Sequence, residues 1–126
     1  MEALLKDQSP FINGDGEQTR DFTFVENAVQ ANVRSFFSSI ESVNKTYNVA
    51  VGERVSVNDL FKAIQQFVGT KAKAVYKEER EGDIKDSLAD ISLAQKYLGY
   101  GPTAKFSDGI KITLQWFKEQ LAVNNR

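Results

Sequence analysis

Apolar residues recur at helical spacing along two long stretches of the chain. The first covers about residues 25–40, and its apolar positions are Val25, Val29, Val33, Phe36, Phe37 and Ile40. The second follows Ser56, a good N-cap with Asp59 in capping-box position, and stops at Gly69. Its apolar positions are Leu60, Ile64 and Phe67. Both patterns predict amphipathic helices that bury the apolar face.

Shorter signals predict further helical segments. Residues 2–7 are compatible with one turn or more of helix, which ends before Pro10. A later helix is expected to start at Asp90 as its N-cap and to end at Gly99. Ser107 is expected to cap the last helix. The apolar stripe of this last helix consists of Ile110, Leu114, Phe117 and Leu121.

The segment before the first long helix shows the alternation of a β-strand. Residues 9–25 are interpreted as strand, turn and strand, with the turn at residues 13–16. Asn, Asp and Gly in this turn tolerate positive φ, and Phe22 and Phe24 alternate with polar neighbours. The pattern therefore predicts two short strands on either side of the turn.

Two more short strands are predicted at residues 45–52 and 72–77. The fold class is thus α/β, a small mixed sheet of short strands with about four helices in a single domain over residues 1–126. A self-sufficient α/β domain normally has a sheet covered on its faces by helices. Because the strands here are few and short, the chain is interpreted as a piece of a larger protein.

Composition narrows the function. The chain has 126 residues, enough for one core, and 16 basic against 17 acidic residues give a net charge of −1. With charges this balanced the chain offers no basic patch for nucleic acid, so we expect no nucleic-acid partner. Zero Cys and zero His exclude thiolate chemistry and remove the commonest general base. No apolar run approaches the ~20 residues that span a bilayer, so we expect no membrane partner and a cytoplasmic location.

A charged stretch, "EREGDIKDSLAD" at residues 79–90, leaves two interpretations open. It contains five acidic residues, two basic residues and one glycine. It could be a solvated loop in which Arg80 pairs with Glu78 or Asp83. Alternatively, Arg80 and Asp83 on either side of Gly82 bind a ligand that is both anionic and rich in hydroxyl groups, because an arginine fork suits phosphate and a carboxylate accepts from a diol.

The chain resembles extended short-chain dehydrogenase/reductases that act on nucleotide sugars. Residues 11–33, "FINGDGEQTRDFTFVENAVQANV", are similar to the segment that follows the nucleotide-binding core in these enzymes. Residues 47–64 resemble their next strand–Gly–helix unit. Residues 80–102, "REGDIKDSLADISLAQKYLGYGP", resemble their closing signature, and residues 108–121 their C-terminal helix. The nearest branch resembles UDP-N-acetylglucosamine 4-epimerases of bacterial polysaccharide synthesis.

The resemblance implies a UDP-sugar partner and four substrate-binding residues. Arg20 and Arg80 match the two arginines that contact the substrate diphosphate, and Asp83 matches the acid that accepts hydrogen bonds from ribose hydroxyls. Ser87 matches a position that acts as a size gate beside the sugar's substituent at carbon 2. For Arg20 the alternative is a surface pair with Glu17 or Asp21, and for Ser87 it is a turn or cap residue.

The resemblance also implies what this chain lacks. The family uses NAD, yet these residues contain neither a G-x-G-x-x-G fingerprint nor the family's Tyr-x-x-x-Lys pair. We therefore expect no catalytic residue, no metal, no NAD bound to this chain alone and no epimerase activity. Asp90 and Ile91 are assigned structural roles, as a cap and a packing residue. Asn27 stands where the family often has Asp, so the resemblance supports no polar role there.

Two further expectations concern partners. Nucleotide-sugar dehydratases and decarboxylases share these motifs, so the chain could equally be a fragment of one of those enzymes. A competing hypothesis is a non-enzymatic interaction protein that reuses this half-fold. If the elements normally pack against a nucleotide-binding half, the isolated chain exposes apolar surface and forms a homodimer. The residues expected on that surface are Phe11, Ile12, Phe22 and Phe24.

Overall fold

The structure, a computed structural model, describes residues 1–124. Its helices are α1 (Glu2–Leu5), α2 (Val25–Phe36), α3 (Val57–Val68), α4 (Ser92–Leu98) and α5 (Phe106–Asn124). Its strands are β1 (Phe11–Asn13), β2 (Thr19–Arg20), β3 (Val55–Ser56) and β4 (Val75–Lys77). A 3-10 turn lies at Ile40–Ser42. The prediction of a mixed α/β chain with short strands is confirmed.

Helix α3 forms as its sequence predicts. The Ser56 hydroxyl accepts a hydrogen bond from the backbone N–H of Asp59 at 3.0 Å, which satisfies one of the free donors of the first turn. Gly69 ends the helix with φ +76°, a left-handed conformation that costs glycine little. Its inner face packs with α1 and α5 around three buried residues. These are Leu4, Ile64 and Leu114.

A second core lies between α2 and α4. Its buried members are Ala31, Ala94, Leu98 and Tyr100. Helix α2 contributes small or polar side chains to this core, because its buried residues are Asn27 and Ala31. Ile91 packs against the same cluster, as predicted.

The prediction that the first long helix buries its apolar face is wrong. The helix ends at Phe36 rather than near residue 40, and its whole apolar stripe is solvent-exposed, reaching 88% exposure at Phe36 and 87% at Phe37. The other stripe residues, Val25, Val29, Val33 and Ile40, are each more than half exposed. The reason is geometric: α4 packs on the opposite side of α2, where Ala31 lies, and no described element covers the stripe.

The strands pair differently from the prediction. β1 pairs in parallel with β4, Phe11 opposite Val75, whereas β2 pairs antiparallel with β3. The turn at residues 13–16 therefore connects strands of two different sheets. Phe22 and Phe24 lie beyond β2 in non-regular chain, and residues 45–52 form no strand. A strand needs a neighbour for its N–H and C=O groups, and residues 1–124 supply none at 45–52.

Two helix starts and one surface residue also need correction. Helix α4 begins at Ser92 after Ile91, but Asp90 still accepts the Ser92 backbone N–H at 2.9 Å. Helix α5 begins at Phe106, so Ser107 lies inside its first turn and does not cap it. Ile12, expected on an exposed surface, is buried, although its neighbour Phe11 is 65% exposed.

Candidate functional site

The charged stretch is a loop tied to β2. The Thr19 backbone N–H donates to the Lys85 carbonyl oxygen at 2.8 Å, and the Thr19 hydroxyl donates to the Asp86 carboxylate at 2.9 Å. One Arg20 nitrogen donates to the Ile84 carbonyl oxygen at 2.6 Å. These contacts use the edge of β2 that β3 leaves open, so the loop is positioned by backbone as well as side-chain bonds.

A tight turn brings the acidic side of the loop back to β2. Gly82 has φ +79°, and the backbone N–H of Asp83 donates to the Arg80 carbonyl oxygen at 3.0 Å. This is the four-residue turn with positive φ at its third residue that glycine favours. The expectation that Gly82 turns the chain between Arg80 and Asp83 is confirmed.

Arg20 forms an ion pair with Asp83. Its Nη2 donates to Asp83 Oδ1, while its Nη1 donates to the carbonyl oxygens of Thr19 at 2.7 Å and of Ile84. The alternative partners considered for Arg20, Glu17 and Asp21, are not the ones it binds. Both side chains of the pair are about one-third exposed, so its own contribution to stability is only ~0–1 kcal/mol.

The pair leaves some of its hydrogen-bonding groups unused. A guanidinium has five N–H donors, of which three are used here, so two have no partner among residues 1–124. Asp83 uses Oδ1 for Arg20, and its Oδ2 has no hydrogen-bond partner within the same residues. The pair can therefore accept a ligand hydroxyl and donate to a ligand oxygen without first breaking.

Two depressions adjoin this pair. The first has a volume of about 90 Å³ and is lined by Arg80 and Asp83, with Asn13, Gly14, Asp15, Gln18, Glu79, Ile84 and Lys85. The second is larger, about 460 Å³, and is lined by Arg20 and Ser87, with Asp21, Thr23, Asn48, Val49, Ala50, Leu88, Ala89 and Asp90. The structure thus places Arg80 and Asp83 together, and Arg20 with Ser87, with the ion pair between the two depressions.

The local charges limit how strongly the site can hold an anion. Arg80 is exposed in a loop that also carries Glu79 and Glu81, and the first depression is lined by three acids and two bases. The backbone N–H of Ser92 donates to Asp90 at the edge of the second depression and lowers the pKa of that carboxyl. Asp90 is therefore ionised at neutral pH. The arginines would attract an anionic ligand, while the nearby carboxylates would repel it and weaken its binding.

Sequence reasoning missed the polar role of Asn27. This side chain is fully buried, donates to the Ala104 carbonyl oxygen at 2.7 Å, and accepts from the backbone N–H groups of Thr103 and Ala104 at 2.9 and 3.1 Å. It joins α2 to the start of α5. No local signal could have revealed this role, since its partners are 76 and 77 residues away in sequence.

A second missed hub is Asn58, in the first turn of α3. Its amide donates to the Asp15 carbonyl oxygen at 3.0 Å and to the Glu17 carboxylate at 2.6 Å, and it accepts from the Tyr76 hydroxyl at 2.8 Å. A Cβ atom built on Gly16 would lie 2.2 Å from its side chain, so only glycine fits there. Asn58 thus fixes the turn that forms one wall of the first depression.

Comparison with known proteins identifies a family whose model matches most of the chain. The family described as GDP-mannose 4,6 dehydratase matches residues 1–113. A putative UDP-glucose 4-epimerase of Methanocaldococcus jannaschii is 36% identical over the whole of this chain, which spans 38% of that relative's length.

Two experimental structures show the same fold. The UDP-N-acetylglucosamine 4-epimerase of Methanobrevibacter ruminantium, in complex with UDP-N-acetylmuramic acid, is 39% identical with a TM-score of 0.86. The match covers 94% of this chain and 37% of that one. The UDP-glucuronic acid 4-epimerase of Bacillus cereus, in complex with UDP-glucuronic acid and NAD, is 28% identical with a TM-score of 0.88. It covers 94% of this chain and 38% of that one.

Proposed function

Because the chain belongs to the GDP-mannose 4,6-dehydratase family, we propose that it is the UDP-sugar-binding portion of an NAD-dependent nucleotide-sugar 4-epimerase. The observation that carries this proposal is the Arg20–Asp83 pair, fixed between two depressions with donors and an acceptor still available. A nucleotide sugar offers the matching groups: hydroxyls at both ends and a diphosphate between them.

This proposal gives each of the four predicted site residues a role in binding the UDP-sugar. The unengaged donors of Arg20 and the exposed fork of Arg80 would contact the diphosphate, for which a planar, permanently charged group is suited. The free oxygen of Asp83 would accept from the ribose diol. The larger depression beside Ser87 would hold the sugar, where a small hydroxyl side chain leaves room for an N-acetyl group at carbon 2.

Catalysis is assigned to a part of the enzyme outside these residues. The Bacillus cereus epimerase structure contains NAD, and this chain spans only 38% of that protein. The 126 residues contain no G-x-G-x-x-G and no Tyr-x-x-x-Lys. We therefore expect the chain alone to bind UDP-sugar weakly, to bind no NAD and to catalyse no epimerisation. A nucleotide-sugar dehydratase or decarboxylase would bind the same class of ligand.

Calorimetric titration with UDP-N-acetylglucosamine tests the binding role. Arg80→Ala should weaken binding about five- to tenfold, because it removes a charge-assisted contact at a partly solvated site. Arg54→Ala is the matched control, since Arg54 is an exposed arginine that lines neither depression. Equal affinity for the wild type and Arg80→Ala would contradict the assignment of Arg80.

The exposed stripe of α2 favours a second candidate function, a non-enzymatic interaction protein. Contiguous apolar patches on monomers mark interaction surfaces. On the first proposal the remaining part of the enzyme covers this stripe, and the isolated chain dimerises because that part is missing. On the second, a copy of the chain covers the stripe and the homodimer is the functional form. Both proposals need the stripe to be covered, and they differ in whether UDP-sugar binds.

A further inference from the structure

Asp21, next to Arg20, binds a segment of backbone far from it in sequence. Its Oδ1 accepts the backbone N–H of Val51 at 3.0 Å, and its Oδ2 accepts the backbone N–H of Gly52 at 3.0 Å. Gly52 has φ +78°, so the two successive N–H groups converge on one point and form a small anion-binding concavity. The protein's own carboxylate fills it.

The same segment is held from a second side. The buried hydroxyl of Tyr100 donates to the Ala50 carbonyl oxygen at 2.7 Å. Burial raises the pKa of Tyr100, and the nearby Asp21 carboxylate raises it further, so the hydroxyl keeps its proton at neutral pH. Residues 50–52 are therefore fixed through one carbonyl oxygen and two N–H groups.

This fixed segment directly follows one wall of the larger depression. Asn48, Val49 and Ala50 form that wall, and residues 87–90, which include Ser87, form another. The Asn48 side chain donates to the Asp90 carbonyl oxygen at 3.1 Å and links the two walls. Arg20 and Asp21 line the same depression, so Asp21 ties its own segment to the one at residues 48–50 through the backbone of Val51 and Gly52.

We propose that Asp21 is a positioning residue that sets the width of the depression around Ser87 and thereby contributes to the choice of sugar substituent at carbon 2. This inference rests on the proposed function, because it takes the larger depression as the place of the sugar. Asp21 acts through the backbone of Val51 and Gly52, with both its oxygens engaged, and not through the phosphate contacts of its neighbour Arg20.

Asp21→Asn tests the proposal with little change of shape. The amide keeps one acceptor oxygen but presents N–H groups to a backbone donor, so one of the two bonds is lost. Hydrogen exchange, followed by NMR without ligand, should quicken about tenfold at Val51 or Gly52. Backbone amide chemical shifts should also change at residues 87–90, the second wall. Glu53→Gln removes a nearby charge that makes no such bond and should change neither.

Titrations with UDP-N-acetylglucosamine, UDP-glucose and UDP separate this inference from the proposed function. In Asp21→Asn, the ratio of the dissociation constants for the two sugar nucleotides should change about tenfold, while the affinity for UDP stays within twofold of wild type. An unchanged ratio with normal UDP binding overturns the role of Asp21 and leaves the proposed function standing. Absence of UDP binding in the wild type overturns both.

A merely structural role predicts a different pattern. Asp21→Asn would then weaken all three ligands equally, in parallel with a lower urea midpoint, and the ratio would not move. Asp21→Ala, which removes both bonds, should change the ratio further in the same direction while the far-UV circular dichroism remains that of the wild type. A uniform loss across the three ligands contradicts the proposal.

Discussion

Helices α2 and α3 have the same length and similar amphipathic patterns, yet only one buries its stripe. In α3 the stripe residues Leu60, Ile64 and Phe67 pack with α1 and α5. In α2 the stripe faces solvent, and the residues turned inward are Asn27 and Ala31. Periodicity therefore predicts that a helix has an apolar face, but it does not predict that the covering partner lies within the same stretch of chain.

The largest expected effect separates the two helices by stability. Ile64→Ala removes buried side-chain volume from the core around α3, so the free energy of unfolding should fall by about 2–5 kcal/mol. Val29→Ala, on the exposed stripe of α2, should change it by less than about 0.5 kcal/mol. Urea unfolding followed by circular dichroism, at a protein concentration low enough for the chain to be monomeric, measures both. A cost above 1 kcal/mol for Val29→Ala would mean that the stripe is already covered in solution.

Asn27→Asp tests the inner side of α2. The substitution removes the donor to the Ala104 carbonyl oxygen and places a carboxylate in a fully buried position, so stability at pH 7 should fall by about 1–3 kcal/mol. Burial and the facing Ala104 carbonyl oxygen should raise the pKa of the new carboxyl in the folded state above its unfolded value, by more than the N–H groups of Thr103 and Ala104 lower it. The penalty should therefore be full above the folded pKa and vanish below the unfolded one.

A urea midpoint series across pH measures this effect, with wild type as the reference. The difference between wild type and variant should narrow as pH falls, because a protonated carboxyl can donate to Ala104 as the amide does. A difference that stays constant with pH would contradict a buried carboxylate at this position.

Self-association tests the outer side of α2. The stripe, which includes Phe37 and Ile40, exposes large apolar side chains. A net charge of −1 gives little repulsion between copies. The wild type should dimerise with increasing concentration, and the double substitution of Phe36 and Phe37 by Ser should shift it towards monomer. Light scattering after size exclusion measures this, with Ile112→Ser on the exposed side of α5 as control. A wild type that is monomeric at high concentration excludes this interface.

The smallest expected effect concerns the start of α4, which covers the inner side of α2. The Ser92 backbone N–H holds the pKa of Asp90 below its ordinary value of 3.8. Its stabilising contribution is therefore present above that value and lost as pH falls through the lowered pKa. Asp90→Asn should lower the urea midpoint slightly at pH 6, and this difference should shrink as pH falls below 3.8. A difference that does not shrink would contradict the role.

The sequence predicted the elements whose causes are local. The cap at Ser56 and the helix ends at Gly69 and Gly99 depend on neighbouring residues, and the structure confirms all three. The strand expected at 45–52 depends on a partner strand that residues 1–124 do not provide. The error at Ser107 has a different origin, since the helix starts at Phe106, two residues earlier than a cap at Ser107 requires.

The four residues predicted for the site line two adjoining depressions, and their membership of a binding site remains a prediction. They are Arg20, Arg80, Asp83 and Ser87. The pair between Arg20 and Asp83 joins residues 63 apart, which no pattern of short spacing indicates. Asp21 was hidden for the same reason, because its partners are backbone groups 30 and 31 residues away.

An NMR titration of the chain with UDP-N-acetylglucosamine and, separately, with NAD tests the central claim most directly. The account predicts that UDP-N-acetylglucosamine shifts backbone amides at β2 and at residues 80–90, with weak affinity, and that NAD shifts none of them. Shifts confined to other parts of the chain, or NAD binding as strong as that of the sugar nucleotide, would contradict the claim that this chain supplies the substrate-binding portion alone.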